Sequence, residues 1–428
     1  MNQREQVAHG LATAMLAGRW TRLSILTRCR SALGKRQSPG WLLALVDQVL
    51  AAYRDAPADR PGELAAYLQT RPAWMMAWQH RRPVRILTWT PVPTTVTRQP
   101  WPVTLLPDRS ALARLLDLDQ GELDWFADNR GLERRVGEPL RHYRWSTIAK
   151  RDGVRVLAAP KPRLKEIQRR LLRELLDPIP THPAAHGCVR GRSVRSAVAP
   201  HAGSTVVIRA DLVAFFPSIR AGRVWSLLST AGLPEPVAYT VTGLLTTVAP
   251  LALRRIDARL GTPHLPQGAP TSPAVANLVA FSLDRRLAGL AASFGAKYTR
   301  YVDDLTFSGG PSLRNARSRF VGLVREIVTD EGFRLNDRKT VVLSDAGRQA
   351  LLGTVINVRP TVSRPERDAL RALLHNCATA GWRSQVRGAV EPAERFPAHV
   401  LGRVSWVAGL DPLLGARLRA AYDAVDWS

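Results

Sequence analysis

Two adjacent carboxylates, Asp303 and Asp304, interrupt a run of strand-forming residues that reads Lys297-Tyr-Thr-Arg-Tyr-Val-Asp-Asp-Leu-Thr-Phe-Ser308. The pattern is that of a strand, a tight turn and a second strand, with both acids at the tip. The flanking residues Tyr298, Tyr301, Val302, Leu305 and Phe307 are apolar or aromatic, so the hairpin is expected to be largely buried. Two anions held together at a buried tip repel one another unless a cation neutralises them. An oxygen-only ligand set suits a hard divalent ion, and magnesium is the expected one. A sheet that ends in paired acids therefore has to be built into whatever fold the chain adopts.

A third acid stands in a comparable place. Asp211 closes the apolar run Ser204-Thr-Val-Val-Ile-Arg-Ala-Asp211, and Leu212-Val-Ala-Phe-Phe216 follows it. One acid at a strand end usually caps the next turn. One strand-end acid together with two hairpin-tip acids can hold two metal ions roughly 3.5–4 Å apart, the arrangement used for in-line phosphoryl displacement. Between these acids lies Leu265-Pro-Gln-Gly-Ala-Pro-Thr-Ser-Pro273. Its prolines and glycine predict a rigid loop whose backbone, at Gln267 and Gly268, can approach a ligand closely.

Charge points to the kind of partner. The chain has 428 residues and a formal net charge of +26, with 61 Lys+Arg against 35 Asp+Glu. That surplus implies a polyanionic partner, of which nucleic acid is the commonest. Only six lysines contribute, so arginine dominates, and guanidinium both grips phosphate bidentately and stacks on bases. Cys29, Cys188 and Cys377 form no CxxC pair, which argues against a zinc cluster or disulfide framework and suits a reducing compartment. With neither a run of 18 apolar residues nor a signal-peptide pattern, a cytoplasmic protein with no membrane partner is expected.

Along the chain, residues 1–105 read as a mostly helical N-terminal extension that ends in a Pro-rich linker over 81–107. Eight of the twelve tryptophans precede residue 150 and are expected in the core. From 108 onwards the texture is that of an α+β unit. Helices are expected at Asp108 to Leu118, Leu164 to Leu176, Ala274 to Leu290 and Arg314 to Glu331, the last closed by Gly332. Strands are expected at 154–158 and 204–211. The last sixty residues read helical, broken at Glu391-Pro392. His186, His201, His264 and His375 lack metal-ligand spacing and read as polar surface or RNA contacts.

Asp211 with Phe215-Phe216, the Leu265-Pro-Gln-Gly268 loop, Tyr301-Val-Asp-Asp304, and Gly332-Phe-Arg-Leu-Asn336 with Lys339 resemble, in order and spacing, the successive blocks of reverse transcriptases. The resemblance covers roughly residues 108–428. Within that superfamily the chain is most similar to bacterial retron reverse transcriptases. The stretches carrying this are His142-Tyr-Arg-Trp-Ser-Thr-Ile-Ala-Lys-Arg-Asp-Gly-Val-Arg155 and His186-Gly-Cys-Val-Arg-Gly-Arg-Ser193. Where those enzymes typically carry Asn-Ala-x-x-x-His and Val-Thr-Gly, this chain reads Ser196-Ala-Val-Ala-Pro-His201 and Leu351-Leu-Gly353.

The resemblance implies a right-hand polymerase: fingers and palm with an antiparallel sheet over 106–360, and a helical thumb over 361–428. It makes Asp211, Asp303 and Asp304 the ligands of two Mg2+ ions and Lys339 a general acid on the pyrophosphate side. It places Lys150, Arg151 and Arg155 on the triphosphate, Gln267 and Gly268 beside the incoming nucleotide, and Tyr301 with them. One of Phe215 and Phe216, with Phe215 preferred, would exclude a 2′ hydroxyl. Leu352-Gly353-Thr354 resembles the hairpin that positions the primer end.

The implied partners are deoxynucleoside triphosphates, a structured non-coding RNA serving as template and primer, the RNA–DNA hybrid product, and a separate effector protein in anti-phage defence. Group II intron enzymes, diversity-generating enzymes and polymerases making untemplated DNA share the same blocks. A basic RNA-binding scaffold that restrains a toxin is the non-enzymatic alternative.

Overall fold

The computed structural model describes residues 2–17, 20–57, 61–79, 84–89, 100–129, 131–150, 153–386 and 393–428, with 134, 150 and 393 described by their backbone alone. Much of the expected linker over 81–107 and the expected break at Glu391-Pro392 lie outside these residues. The chain forms two compact units that interleave along the sequence. One comprises Met1–Pro180 and Phe216–Val275, the other Thr181–Phe215 and Ala276–Ser428. Eight strands are labelled in chain order: β1 (Tyr143–Lys150), β2 (Gly153–Pro160), β3 (Val206–Asp211), β4 (Lys297–Tyr301), β5 (Asp304–Gly309), β6 (Val341–Ser344), β7 (Ala350–Leu351) and β8 (Thr354–Val355). No helix among the described residues is long and apolar enough to cross a membrane.

The first unit begins with the helices Gln3–Leu16, Arg22–Ala32, Gly40–Ala52, Pro61–Gln69 and Pro72–Ala77. They enclose a core of their own, in which Leu11, Met15, Ile25, Leu42, Leu45, Tyr53, Leu68 and Trp74 are buried. Trp20 is fixed on its edge by an Nε1 hydrogen bond to the Tyr53 carbonyl at 3.1 Å. Of the eight tryptophans before residue 150, Trp74 is buried in this core and Trp20, Trp41 and Trp78 pack against it, whereas Trp89 is exposed and Trp101, Trp125 and Trp145 are half-buried. Asp108 caps the helix Arg109–Leu116 by accepting from the Ala111 amide at 2.7 Å. β1 and β2 pair antiparallel along their whole length. The expected helix from Leu164 to Leu176 runs as an α-helix over Pro162–Leu171 and widens to a π turn over Leu172–Leu176.

The second unit is built on an antiparallel sheet in the order β4-β5-β3-β6. Val206, Val207, Ile208 and Ala210 are buried. Phe307 lies between Tyr298 and Phe320, with ring centroids 4.8 and 5.1 Å away, so the helix Arg317–Asp330 is locked to one sheet face. The helix expected from 274 to 290 breaks at Ala280 into Ser272–Val279 and Phe281–Ser293. The one expected from 314 divides at Ala316, and Gly332 follows it at φ +73°. Three further helices, Arg364–Ala380, Phe396–Leu410 and Pro412–Asp423, share a separate core around Leu370, Leu374, Val400, Val404 and Leu418.

Two histidines expected at the surface are not there. His201 is fully buried and His264 almost so. His201 bonds Ser308 Oγ and Thr299 Oγ1, both at 2.8 Å. His264 Nδ1 lies 2.7 Å from the Thr262 carbonyl. Each imidazole is internal bracing. The reason was not visible along the chain, because their polar partners lie on other strands or in the preceding loop.

Candidate active site

The acids meet at one end of the four-stranded sheet. In the β3–β5 ladder Asp211 is the direct partner of Asp304, and in the β4–β5 ladder Tyr301 is its partner on the other side. Asp303 sits in the two-residue turn between β4 and β5, and its carbonyl accepts from the Leu212 amide at 3.0 Å. The register set by Val206 to Ala210 against Leu305 to Gly309 thus brings three carboxylates from two separated segments to one place. A one-residue slip would turn Asp304 to the opposite face.

The electrostatics follow from that convergence. Burial, together with the negative charges of Asp303 and Asp211, pushes the Asp304 carboxyl up to about 6, against the pull of Arg209 and Lys339. Asp211 is the better compensated acid. Lys339 Nζ lies 3.3 Å from both of its oxygens, and Asn336 Nδ2 donates to Oδ2 at 3.4 Å. The Asn336 amide also donates to the Asp211 carbonyl at 2.8 Å. Lys339 comes from the short turn Asp337–Lys339, so the segment after Gly332 returns to the sheet end and brings a cation to it.

The turn that carries Asp303 is strained and held from below. Val302 has φ +58°, a conformation that a β-branched residue rarely adopts and that needs support from its surroundings. The support is a buried polar network. Arg300 Nη1 donates to the Val302 carbonyl at 2.9 Å and to Asn277 Oδ1 at 2.9 Å. Its Nη2 and Nε pair with Asp284 at 2.6 and 2.8 Å, and both partners are fully buried. Tyr298 Oη donates to the same carboxylate at 2.8 Å. Asn277 Nδ2 donates to the Gly187 carbonyl at 2.9 Å. At Gly187 an added Cβ would lie 2.5 Å from the Val302 amide nitrogen, so only glycine allows this approach.

Sequence reasoning missed Arg300, Asp284, Asn277 and Gly187. The available signal was a charged residue in the inward-facing middle of an apolar strand, since arginine is almost never fully buried unless paired.

The remaining expected residues are distributed as follows. Phe215 is buried, with its ring 5.5 Å from Phe333 and the Arg300 guanidinium 5.7 Å away, whereas Phe216 is half-buried. In the first unit, the Gln267 carbonyl accepts from the Ala158 amide at 2.9 Å, which ties the loop 265–273 to β2. Gly268 has φ +131° and is exposed. Arg155 on β2 is half-buried, and its Nε has no hydrogen-bond partner. The Lys150 side chain and Arg151 lie outside the described residues. The turn between β7 and β8 has Leu352 at φ +49° and Gly353 at φ +80°, the mirror-image turn that suits a two-residue hairpin.

The chain was compared with known proteins. Residues 148–371, just over half of it, match the family model described as reverse transcriptase (RNA-dependent DNA polymerase). The retron Mx65 reverse transcriptase of Myxococcus xanthus is 39% identical over 377 residues, covering 84% of this chain and 83% of that protein. The retron Mx162 reverse transcriptase of the same organism is 40% identical over 294 residues, covering 64% and 59%. The retron Ec86 reverse transcriptase of Escherichia coli is 30% identical over 252 residues, covering 58% and 74%. Three convergent acids on an antiparallel sheet, the family model and these relatives agree: the chain belongs to the retron reverse transcriptases and is an RNA-directed DNA polymerase.

Proposed function

We propose that the protein copies a cognate structured non-coding RNA into single-stranded DNA, with Asp211, Asp303 and Asp304 as its catalytic acids and two Mg2+ ions as its cofactor. The observation that carries this reading is the direct cross-strand pairing of Asp211 with Asp304 beside the Asp303 turn. The donor set suits the ion: every carboxylate there is a hard oxygen ligand, and Asp304 is held well above the usual carboxylate range by burial and its like-charged neighbours. Among the described residues no cluster of acids, histidines or cysteines encloses an ion unaided. Magnesium commonly binds through one or two carboxylates and completes its shell with water and substrate phosphates. When bound, the ions would activate a hydroxyl nucleophile and neutralise charge on the departing pyrophosphate.

The chain's own residues supply the remainder. Lys339 pairs with Asp211 and orients its carboxylate before substrate arrives. It is also the group best placed on that carboxylate to give a proton to pyrophosphate, so its role as general acid stands as part of the proposal. Phe216, the half-exposed member of the pair, is the ring that can touch a sugar, while Phe215 packs behind. Gln267 and Gly268 are assigned to the nucleotide loop, Tyr301 at the end of β4 to the incoming nucleotide, and Arg155, Lys150 and Arg151 to the triphosphate.

The division into an extension to residue 105, fingers and palm to 360 and a helical thumb beyond belongs to the same reading. So do a cytoplasmic location, a role in anti-phage defence and a separate effector protein, which are properties proposed from membership of the retron branch.

The test is primer extension on an RNA template with labelled deoxynucleotides. The protein should incorporate them with magnesium and stop when the ion is chelated. Asp211→Asn should lower incorporation by roughly 10³-fold, the scale of removing a group that stabilises transition-state charge, while the circular dichroism spectrum is unchanged. Incorporation by Asp211→Asn at the wild-type rate would end the assignment.

A further inference from the structure

The first unit holds a cavity of about 410 Å³, within the size range of small-ligand sites. Three half-buried aromatic side chains, Phe126, Trp145 and Tyr239, line it, together with Arg54, Arg141 and Arg254. Arg54 comes from the loop after the helix Gly40–Ala52, so the N-terminal extension contributes to a wall otherwise made by the polymerase segments.

The acids of the cavity are already engaged. Asp128 Oδ1 accepts from the Leu132 and Glu133 amides at 2.6 and 3.0 Å, and Glu133 Oε1 accepts from the His142 amide at 2.7 Å. Burial pushes both carboxyls up, towards their neutral form. Asp55 stands exposed beside Arg54. Two polar atoms of the lining are buried with no hydrogen-bond partner: Arg141 Nε and Thr247 Oγ1. Buried polar groups left without a partner in a cavity are what a polar ligand would satisfy.

Flat apolar rings, guanidinium groups and two unspent polar atoms match one ligand chemistry. A nucleobase stacks on aromatic faces, its phosphate takes arginine, and its edge takes single hydrogen bonds. The formal net charge of +26 favours a nucleotide carried on a polyanion over a free one. We propose that this cavity is a second nucleic-acid site, which captures one unpaired nucleotide of an RNA. The inference rests on the RNA-templated reading only in taking RNA as the polyanion. It supplies the N-terminal extension with a part in RNA recognition.

The test uses the full chain and a 12-nucleotide single-stranded RNA carrying one 4-thiouridine. The RNA is photo-crosslinked, the modified peptides are mapped, and affinity is followed by anisotropy. Crosslinks should fall on peptides bearing Phe126, Trp145 or Tyr239. Trp145→Leu should weaken binding about tenfold, the scale of one lost base–aromatic stack. Thr247→Val, nearly isosteric, should weaken it severalfold and guards against a folding defect in the larger change. Extension of an oligo(dT) primer on poly(rA) should be unchanged in both variants. Failure of that control in the wild type would indict the polymerase reading instead. Wild-type RNA affinity in both variants, with crosslinks confined to other peptides, would overturn the inference. So would protection of these peptides by free UMP without any crosslink from the RNA.

Discussion

Asp303 and Asp304 were legible as a pair because acids between strand formers at a tight turn have few uses. Asp211 was legible as a strand-end acid that could join them; that it lies directly across from Asp304 is a property of register, which a single sequence does not display. His201 shows the opposite case. Its partners Ser308 and Thr299 come from strands about a hundred residues away, and nothing adjacent to it in the chain marks it as buried. Thr299 Oγ1 spends its proton on the Ala197 carbonyl at 3.0 Å, so His201 Nε2 donates to it; burial keeps the ring neutral, which leaves Nδ1 to accept from Ser308 Oγ.

Burial, with smaller contributions from Lys297 and His186, lowers the His201 imidazole to about 3. The unfolded chain takes up that proton near pH 6.5 and the folded one does not, so the unfolded state binds more protons between these values. The stability contributed by a neutral His201 is therefore complete above pH 6.5 and is lost as pH falls through the window, at up to about 1.4 kcal/mol per pH unit. Denaturant unfolding at a series of pH values should show a flatter acid limb in His201→Gln than in the wild type. Parallel limbs would mean that the ring is not held neutral.

At the scale of elements, the hairpin β4–β5 was placed correctly from its alternation, but the strain at Val302 and its support were not. Positive φ at a valine has no sequence signature. The network beneath it draws Arg300 from β4, Asp284 and Asn277 from two helices, and Gly187 from a loop. Asp284→Asn leaves a buried guanidinium without its counter-charge and should destabilise the protein by about 3–5 kcal/mol. The double change Arg300→Met with Asp284→Leu removes both charges and should recover much of that stability, because well-packed apolar replacements of buried ion pairs are often neutral. The double variant still lacks the donor to the Val302 carbonyl. Its melting temperature should rise above that of Asp284→Asn while nucleotide incorporation stays depressed through kcat. Recovery of both together would reduce Arg300 to a stabilising residue with no part in positioning the turn. The broken helices at Ala280 and Ala316 were missed because neither alanine is a helix breaker, so the sequence carries no mark of either division.

At the scale of the whole molecule, composition announced a polyanion-binding protein, and the four blocks announced the polymerase. The interleaving of the two units was illegible, because the segments Thr181–Phe215 and Phe216–Val275 join different units at a point with no composition change. The N-terminal core was legible as apolar helices, yet its purpose was not, since a packed core carries no chemistry of its own. With 61 Lys+Arg against 35 Asp+Glu, affinity for a generic RNA should fall by roughly 10³-fold between 50 and 200 mM salt, the loss expected when about six phosphates are contacted. A filter-binding series would measure that slope, and a salt-insensitive affinity would contradict a phosphate-led interface.

On the proposed reading, these acids make DNA on a cognate RNA. Its most direct test is to purify the protein from cells carrying the native locus and treat the bound nucleic acid with RNase and DNase. A short DNA covalently joined to RNA should be present with the wild type and missing when Asp303→Asn and Asp304→Asn are combined. RNA alone in both preparations, with the biological effect of the locus intact in the double variant, would contradict it and leave an RNA-binding scaffold.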